Sequence, residues 1–220
     1  MSELRNVCFH GIGTPARSVD AAEARYWVTR DEFLRILDDV AGWPSVALSF
    51  DDGNASDERI GLPALVERGL AATFFVLAGR LDTAGSLGRD DVRALADTGM
   101  TVGSHGMNHV SWRALDPAAR TRELVTARAQ IAEASGRLVD QAAFPRGQYD
   151  RTALAALRGL GYHRAFTSDA RPARPGAWLQ PRYSVTRDDT VDSLRGRVLT
   201  PAPLPRRLVL EAKGLAKRLR

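Results

Sequence analysis

The sequence predicts an α/β domain, a mostly parallel sheet with helices packed outside it. Two observations carry this expectation. Short apolar runs alternate with segments of helical period from "LRNVCFHG" at the start to a pattern ending near Arg197. Chemistry-bearing residues also fall just after apolar runs, where α/β folds gather their sites: Asp51, Asp52, His105 and the loop after Phe144. Periodicity leaves open whether the sheet is open or closed into a barrel.

Each element has its own signal. "LRNVCFHG" reads as the first strand. "TRDEFLRILDDVAG" reads as a helix, with Thr29 and Glu32 spaced as a capping box and Phe33, Ile36, Leu37 and Val40 on one face. "SVALSF" is a strand, "LPALVERGL" a short helix between Pro63 and Gly69, and "AATFFVLA" another strand. "RDDVRALADTG" closes on Gly99 and is followed by the strand "MTVGSH". The clearest helix is "DPAARTRELVTARAQIAEASG", with Asp116 as cap, Pro117 in the first turn and Gly136 at the stop. "QAAFP", a helix capped by Asp150, "RAFTS", the extended "LQPRYSV" and a short helix from Asp189 to Arg197 complete the series.

At 220 residues the chain suits one domain, residues 1–200, followed by a basic amphipathic tail, residues 201–220. The net charge of +5 resides in that tail. Residues 205–220 carry six basic side chains and one acidic, whereas residues 1–204 carry 25 of each. A neutral body argues against a nucleic-acid groove. The tail's leucines and cations suit a peripheral contact with a membrane surface or a partner, and a solvated chain end is the plainer alternative. The lone Cys8 excludes an internal disulfide and reads as a small buried residue. "MSELRNVCFH" lacks the apolar core of a signal peptide, so the expected location is cytoplasmic, with the tail at the inner membrane face.

"SHGMNH" places His105 and His109 four residues apart after a strand. Imidazoles are the usual neutral ligands of zinc, and an i, i+4 pair in a helical turn can address one ion. Gly106 follows His105, so this is not the zinc-protease pattern. The pair Asp51–Asp52 is the obvious source of what is missing, one carboxylate for metal and the other for proton abstraction.

"SFDDG", "SHGMNH" and "FPRGQYD", in that order, resemble the first three motifs of the polysaccharide deacetylase (NodB-like) carbohydrate esterase family. The resemblance runs over most of residues 5–185 and implies a distorted (β/α) TIM-like barrel. It implies a metal-dependent hydrolase that removes an N-acetyl group from an amino sugar. By position Asp51 is the expected base, and Asp52, His105 and His109 are the expected ligands of Zn2+ or of Co2+ or Ni2+. The third motif, at Pro145 and Arg146, is expected to supply the backbone donor for the oxyanion.

This chain departs from the family pattern in two places. Ala143 stands where many members carry an arginine that orients the base, and Arg182 in "QPRYSV" is the expected substitute, because a buried Asp51 needs a cation. The late histidine that usually serves as acid is absent; His10, at the end of the first strand, is the better candidate for acid or substrate contact, return of the proton by Asp51 is the alternative, and His163 reads as structural. The expected substrate is an N-acetylated amino sugar, nucleotide- or lipid-linked. The alternatives are a catalytically silent sugar-binding homologue and a deformylase acting on a lipid-linked sugar.

Overall fold

Seven parallel strands close into a barrel in the computed structural model, which describes residues 3–201 and 203–219. They are β1 (Arg5–Phe9), β4 (Val46–Asp51), β5 (Ala72–Val76), β6 (Thr101–Ser104), β7 (Gln141–Ala143), β8 (Arg164–Thr167) and β9 (Leu179–Ser184), with β9 pairing back onto β1. Between open sheet and barrel, the outcome is the barrel that the family resemblance implied. Two further strands, β2 (Gly11–Ile12) and β3 (Trp27–Val28), form a small parallel ribbon beside it. They are too short to leave a periodic signal in the sequence.

Helices α2 (Arg30–Val40), α3 (Leu62–Glu67), α4 (Arg89–Asp97), α6 (Ala127–Ser135), α7 (Arg151–Gly159) and α8 (Val191–Leu199) pack outside, with single turns α1 (Ala21–Ala24) and α5 (Pro117–Arg120). Thr29 caps α2 by accepting from the Glu32 amide at 3.2 Å. The reciprocal half of the expected capping box is missing, because the Glu32 carboxylate serves Arg35 and the Val191 amide instead. Asp116 and Asp150 cap α5 and α7, and Gly136 ends α6 in the left-handed region at φ 64°.

Strand alternation divides the side chains into two layers. Val7, Phe9, Leu48, Phe50 and Phe74 point outward and meet Phe33, Ile36, Leu37 and Val40 of α2 in the main core. Phe9 meets Phe33 edge-on at 5.1 Å, and Phe50 stacks on Phe74 at 4.7 Å. The opposite register, Asn6, Cys8, Ser49, Asp51, Gln180 and Arg182, is also buried, so the barrel encloses polar groups that must satisfy one another.

The connection from β8 to β9 carries no helix. Helix α9 (Leu204–Leu219) covers this side, packing on α7 and reaching Asp169 and Gly147 through Lys217. No helix among the described residues is long and apolar enough to cross a membrane.

Candidate active site

Asp51 ends β4 and follows Ser49 into the barrel on the same face of the strand. Asp52 takes φ 77° and Gly53 φ 66°, so the chain turns sharply and the adjacent carboxylates point to different partners. The two oxygens of Asp51 are held by Arg182, at 2.6 and 2.7 Å. Arg182 is fully buried, donates also to Ser49 Oγ at 3.1 Å, and lies over the rings of Phe75 and Phe166. Burial alone would raise the pKa of Asp51. The Arg182 charge and hydrogen bonds, with His105 and His10, carry it well below the usual carboxylate range.

Asp52 has a different environment. Its Oδ1 is buried without a hydrogen-bond partner, 3.5 Å from His105 Nε2 and 3.3 Å from His109 Nε2. His105 Nδ1 lies 2.9 Å from the Ala143 carbonyl, which only accepts, so that nitrogen carries the proton and Nε2 offers its lone pair. Burial pushes Asp52 up to about 6 and His105 down to about 3. His109 falls to about 4, through burial and then the charges of Arg80 and Arg146. Neutral imidazoles beside an unpartnered carboxylate oxygen, with all three donor atoms within 4.8 Å, are the donor set a divalent cation requires. The residues fit the metal that the resemblance implied.

Cys8, His10 and Asp51 also lie within 4.8 Å of one another. This second group is a poor cation site. Burial pushes the Cys8 thiol far up, and Arg182 already supplies the positive charge. Asp57 is buried nearby and its pKa is pushed well above the carboxylate range by burial and then the charge of Asp52.

The structure gathers Asp51, Asp52, His10, His105, His109 and Arg182 at one end of the barrel. His10 stacks on Tyr26 at 4.6 Å, with Nε2 4.0 Å from Asp51 Oδ2. Pro145 and Arg146 form a tight turn on the neighbouring loop, with Arg146 at φ 57°. The Gly147 and Gln148 amides donate to the Phe144 and Pro145 carbonyls. His163 is exposed, and its amide bonds to Asp140 on the helix–strand junction. "SHGMNH" is not the helical turn that the i, i+4 spacing suggested. Gly106 at φ 87° and His109 at φ 55° fold it as a loop that brings the two rings to 5.3 Å.

Several supporting residues carry no motif. Glu123, fully buried, accepts from the Met107 and Asn108 amides at 2.7 and 3.3 Å and so braces the histidine loop. A Cβ on Gly106 would lie 2.6 Å from its Oε2, which explains the glycine. Asp169 accepts from Tyr149, Thr167 and Lys217 behind the Pro145 turn. A cavity of about 290 Å³ between α8, α9 and residues 170–174 holds none of the site residues.

A family model described as polysaccharide deacetylase matches residues 39–165. The putative polysaccharide deacetylase YxkH of Bacillus subtilis (strain 168) is 24% identical over 132 residues, 60% of this chain and 46% of that protein. The chain thus spans about half the length of this curated relative. Among solved structures, the Streptococcus pyogenes deacetylase PplD in complex with acetate superposes with a TM-score of 0.76 at 18% identity, covering 90% of this chain and 98% of that one. The putative polysaccharide deacetylase BA0330 of Bacillus anthracis gives 0.78 at 16% identity, covering 90% and 69%. At these identities the structural likeness establishes the barrel.

Proposed function

This chain belongs to the polysaccharide deacetylase family, and from that premise we propose that it is a metal-dependent hydrolase releasing acetate from an N-acetylated amino sugar. The observation that carries the reading is the contrast between adjacent carboxylates. Asp51 is ion-paired with Arg182, while the unpartnered Oδ1 of Asp52 faces the Nε2 atoms of His105 and His109.

Zn2+, or Co2+ or Ni2+ in its place, is assigned to Asp52, His105 and His109. Such an ion, when bound, supplies Lewis acidity that polarises an amide carbonyl and eases deprotonation of water. Asp51, kept ionised and oriented by Arg182, accepts a proton from the water as its oxygen attacks the acetamide carbon. The carbonyl oxygen gains negative charge, and a backbone N–H at the third motif donates to it. Pro145 has no N–H, and the Gly147 and Gln148 amides are engaged with the Phe144 and Pro145 carbonyls, so this role is assigned to the Arg146 amide. His10, on the same rim, is assigned the proton that the nitrogen takes as the C–N bond breaks. The products are acetate and a free amine.

The test is incubation with N-acetylated and N-formylated amino sugars on soluble, nucleotide and lipid carriers, with the protein stripped by chelator and then reloaded. Metal-dependent loss of an acetyl group by mass spectrometry is the expected result. Absence of acetate with zinc, cobalt and nickel alike would leave a sugar-binding protein instead.

A further inference from the structure

Helix α9 docks on the barrel by its polar side. Gly214 is buried where the backbone approaches Arg171, and the partly buried Lys217 reaches the Asp169 carboxylate and the Gly147 carbonyl. The apolar side faces away. Leu204, Leu208, Leu215 and Leu219 recur four, seven and four residues apart on one face, with 74%, 64%, 50% and 69% of their surface exposed, and Val209 beside them is 52% exposed. An amphipathic helix buried in a core shows the reverse arrangement, and a continuous apolar stripe of this kind marks a contact surface.

Cations border the stripe along both edges. Helical geometry puts Arg206 and Lys213 on the Val209 side and Arg207 and Arg218 on the Leu204 side. Of these four, Arg207 alone pairs with a carboxylate among the described residues, and that partner, Glu211, is the helix's own. Long aliphatic stems with charged ends on both sides of an apolar face suit a helix lying in a membrane interface, with the cations at the level of the phosphates. A second copy of the chain fits poorly, because a face-to-face pairing of two α9 helices would bring these cations against their own images.

We propose that the outward face of α9 is a docking surface for an anionic lipid bilayer. The helix is already folded and held by Lys217, so binding need not order it. Its N-terminal half borders the same cavity as Glu3 and Arg5, before and at the start of β1, and its far end reaches the Pro145 turn. The bilayer therefore lies along the barrel wall, beside the rim that carries the site. This inference stands whether or not the site hydrolyses an acetamide.

The experiment is co-sedimentation of the full chain with vesicles of phosphatidylcholine alone or mixed with phosphatidylglycerol. The wild type should sediment with the anionic vesicles, and less so as salt rises from about 0.1 to about 1 M and the Debye length falls from about 10 to about 3 Å. Leu208→Gln/Leu215→Gln should bind about tenfold or more weakly, with an unchanged circular-dichroism spectrum and melting temperature, since both side chains are exposed. Leu204→Gln/Leu219→Gln provides an independent second variant. Equal sedimentation of wild type and both variants overturns the proposal. So does failure of the wild type to bind anionic vesicles at low salt, and a concentration-dependent dimer without vesicle binding would assign the face to a second copy.

Discussion

Arg182 grips both oxygens of Asp51, Nη1 on Oδ1 at 2.6 Å and Nη2 on Oδ2 at 2.7 Å, across 131 residues of chain. Both groups are buried, so each ion depends on the other for the solvation that water would have given it. The guanidinium is fixed in turn by Ser49 Oγ and by the Phe75 and Phe166 rings. A fork–fork contact restricts rotation of the carboxylate as well as its charge. Asp51 is thereby held ionised and in one orientation, as the proposed role of base requires.

Arg182→Ala should therefore cost turnover and stability together. Acetate release should fall about 10²-fold or more, the usual loss when a general base is misplaced. The apo protein should lose about 3–5 kcal/mol in urea unfolding, because an uncompensated carboxylate is left buried. Metal content should persist, since Asp52, His105 and His109 are untouched. Adding Asp51→Asn should recover part of the stability and none of the activity. Wild-type turnover in the single variant would remove Arg182 from the site.

His105→Ala should abolish tight metal binding, measured by elemental analysis after desalting. His105 is the better fixed of the two imidazoles, because its Nδ1 is tied to Ala143, whereas His109 lies nearer solvent. Retention of a full equivalent of zinc by the variant would reject this ligand set.

The parts that the sequence disclosed are those whose signal is local. Thr29, Asp116 and Asp150 act within three residues of their own position, and Asp51 directly follows the apolar run that forms β4. The order of the motifs implied a closed barrel that periodicity had left open. Glu123 was invisible, because an acid in the middle of a helix reads as solvated and its partners are loop amides 15 and 16 residues away. The helical reading of "SHGMNH" failed because Gly106 and His109 adopt left-handed angles, where the i, i+4 rule does not hold. The docking of α9 on the barrel was equally hidden. The tail was expected to stand apart from the barrel, and nothing near Lys217 in sequence points to its partners Asp169 and Gly147.

Glu123→Ala should weaken metal affinity about 10–100-fold, the range for groups that orient ligands without touching the ion. The loss arises through the loop, since Glu123 holds the Met107 and Asn108 amides between the two histidines. Glu123→Gln keeps a carbonyl oxygen for those amides and should lose much less. Isothermal titration of the apo variants with zinc separates the two. Equal affinity in Glu123→Ala and the wild type would show that the loop holds its shape without this acid.

The contact between Lys217 Nζ and Asp169 Oδ1, at 2.7 Å, should make the docking of α9 sensitive to acid. Burial would raise the pKa of Asp169, but the Lys217 hydrogen bond and charge, with the Tyr149 and Thr167 hydroxyls, lower it below the carboxylate range. A depressed folded-state pKa adds stability that is complete above the unfolded value of about 4 and is lost as pH falls through the lower folded value. Lys217→Met keeps an unbranched apolar stem and removes the ammonium, which reaches Asp169 and also lies 5.3 Å from the centre of the Tyr149 ring, so it isolates the contribution of the charge. At pH 7 the variant should be less stable by about 1.5–3 kcal/mol, the range for a hydrogen bond to a charged group. As pH falls below about 4 the wild type should lose this advantage and the two urea midpoints should converge. A gap of the same size at both ends of the pH range would show that Lys217 acts through packing and that its charge does not hold the helix.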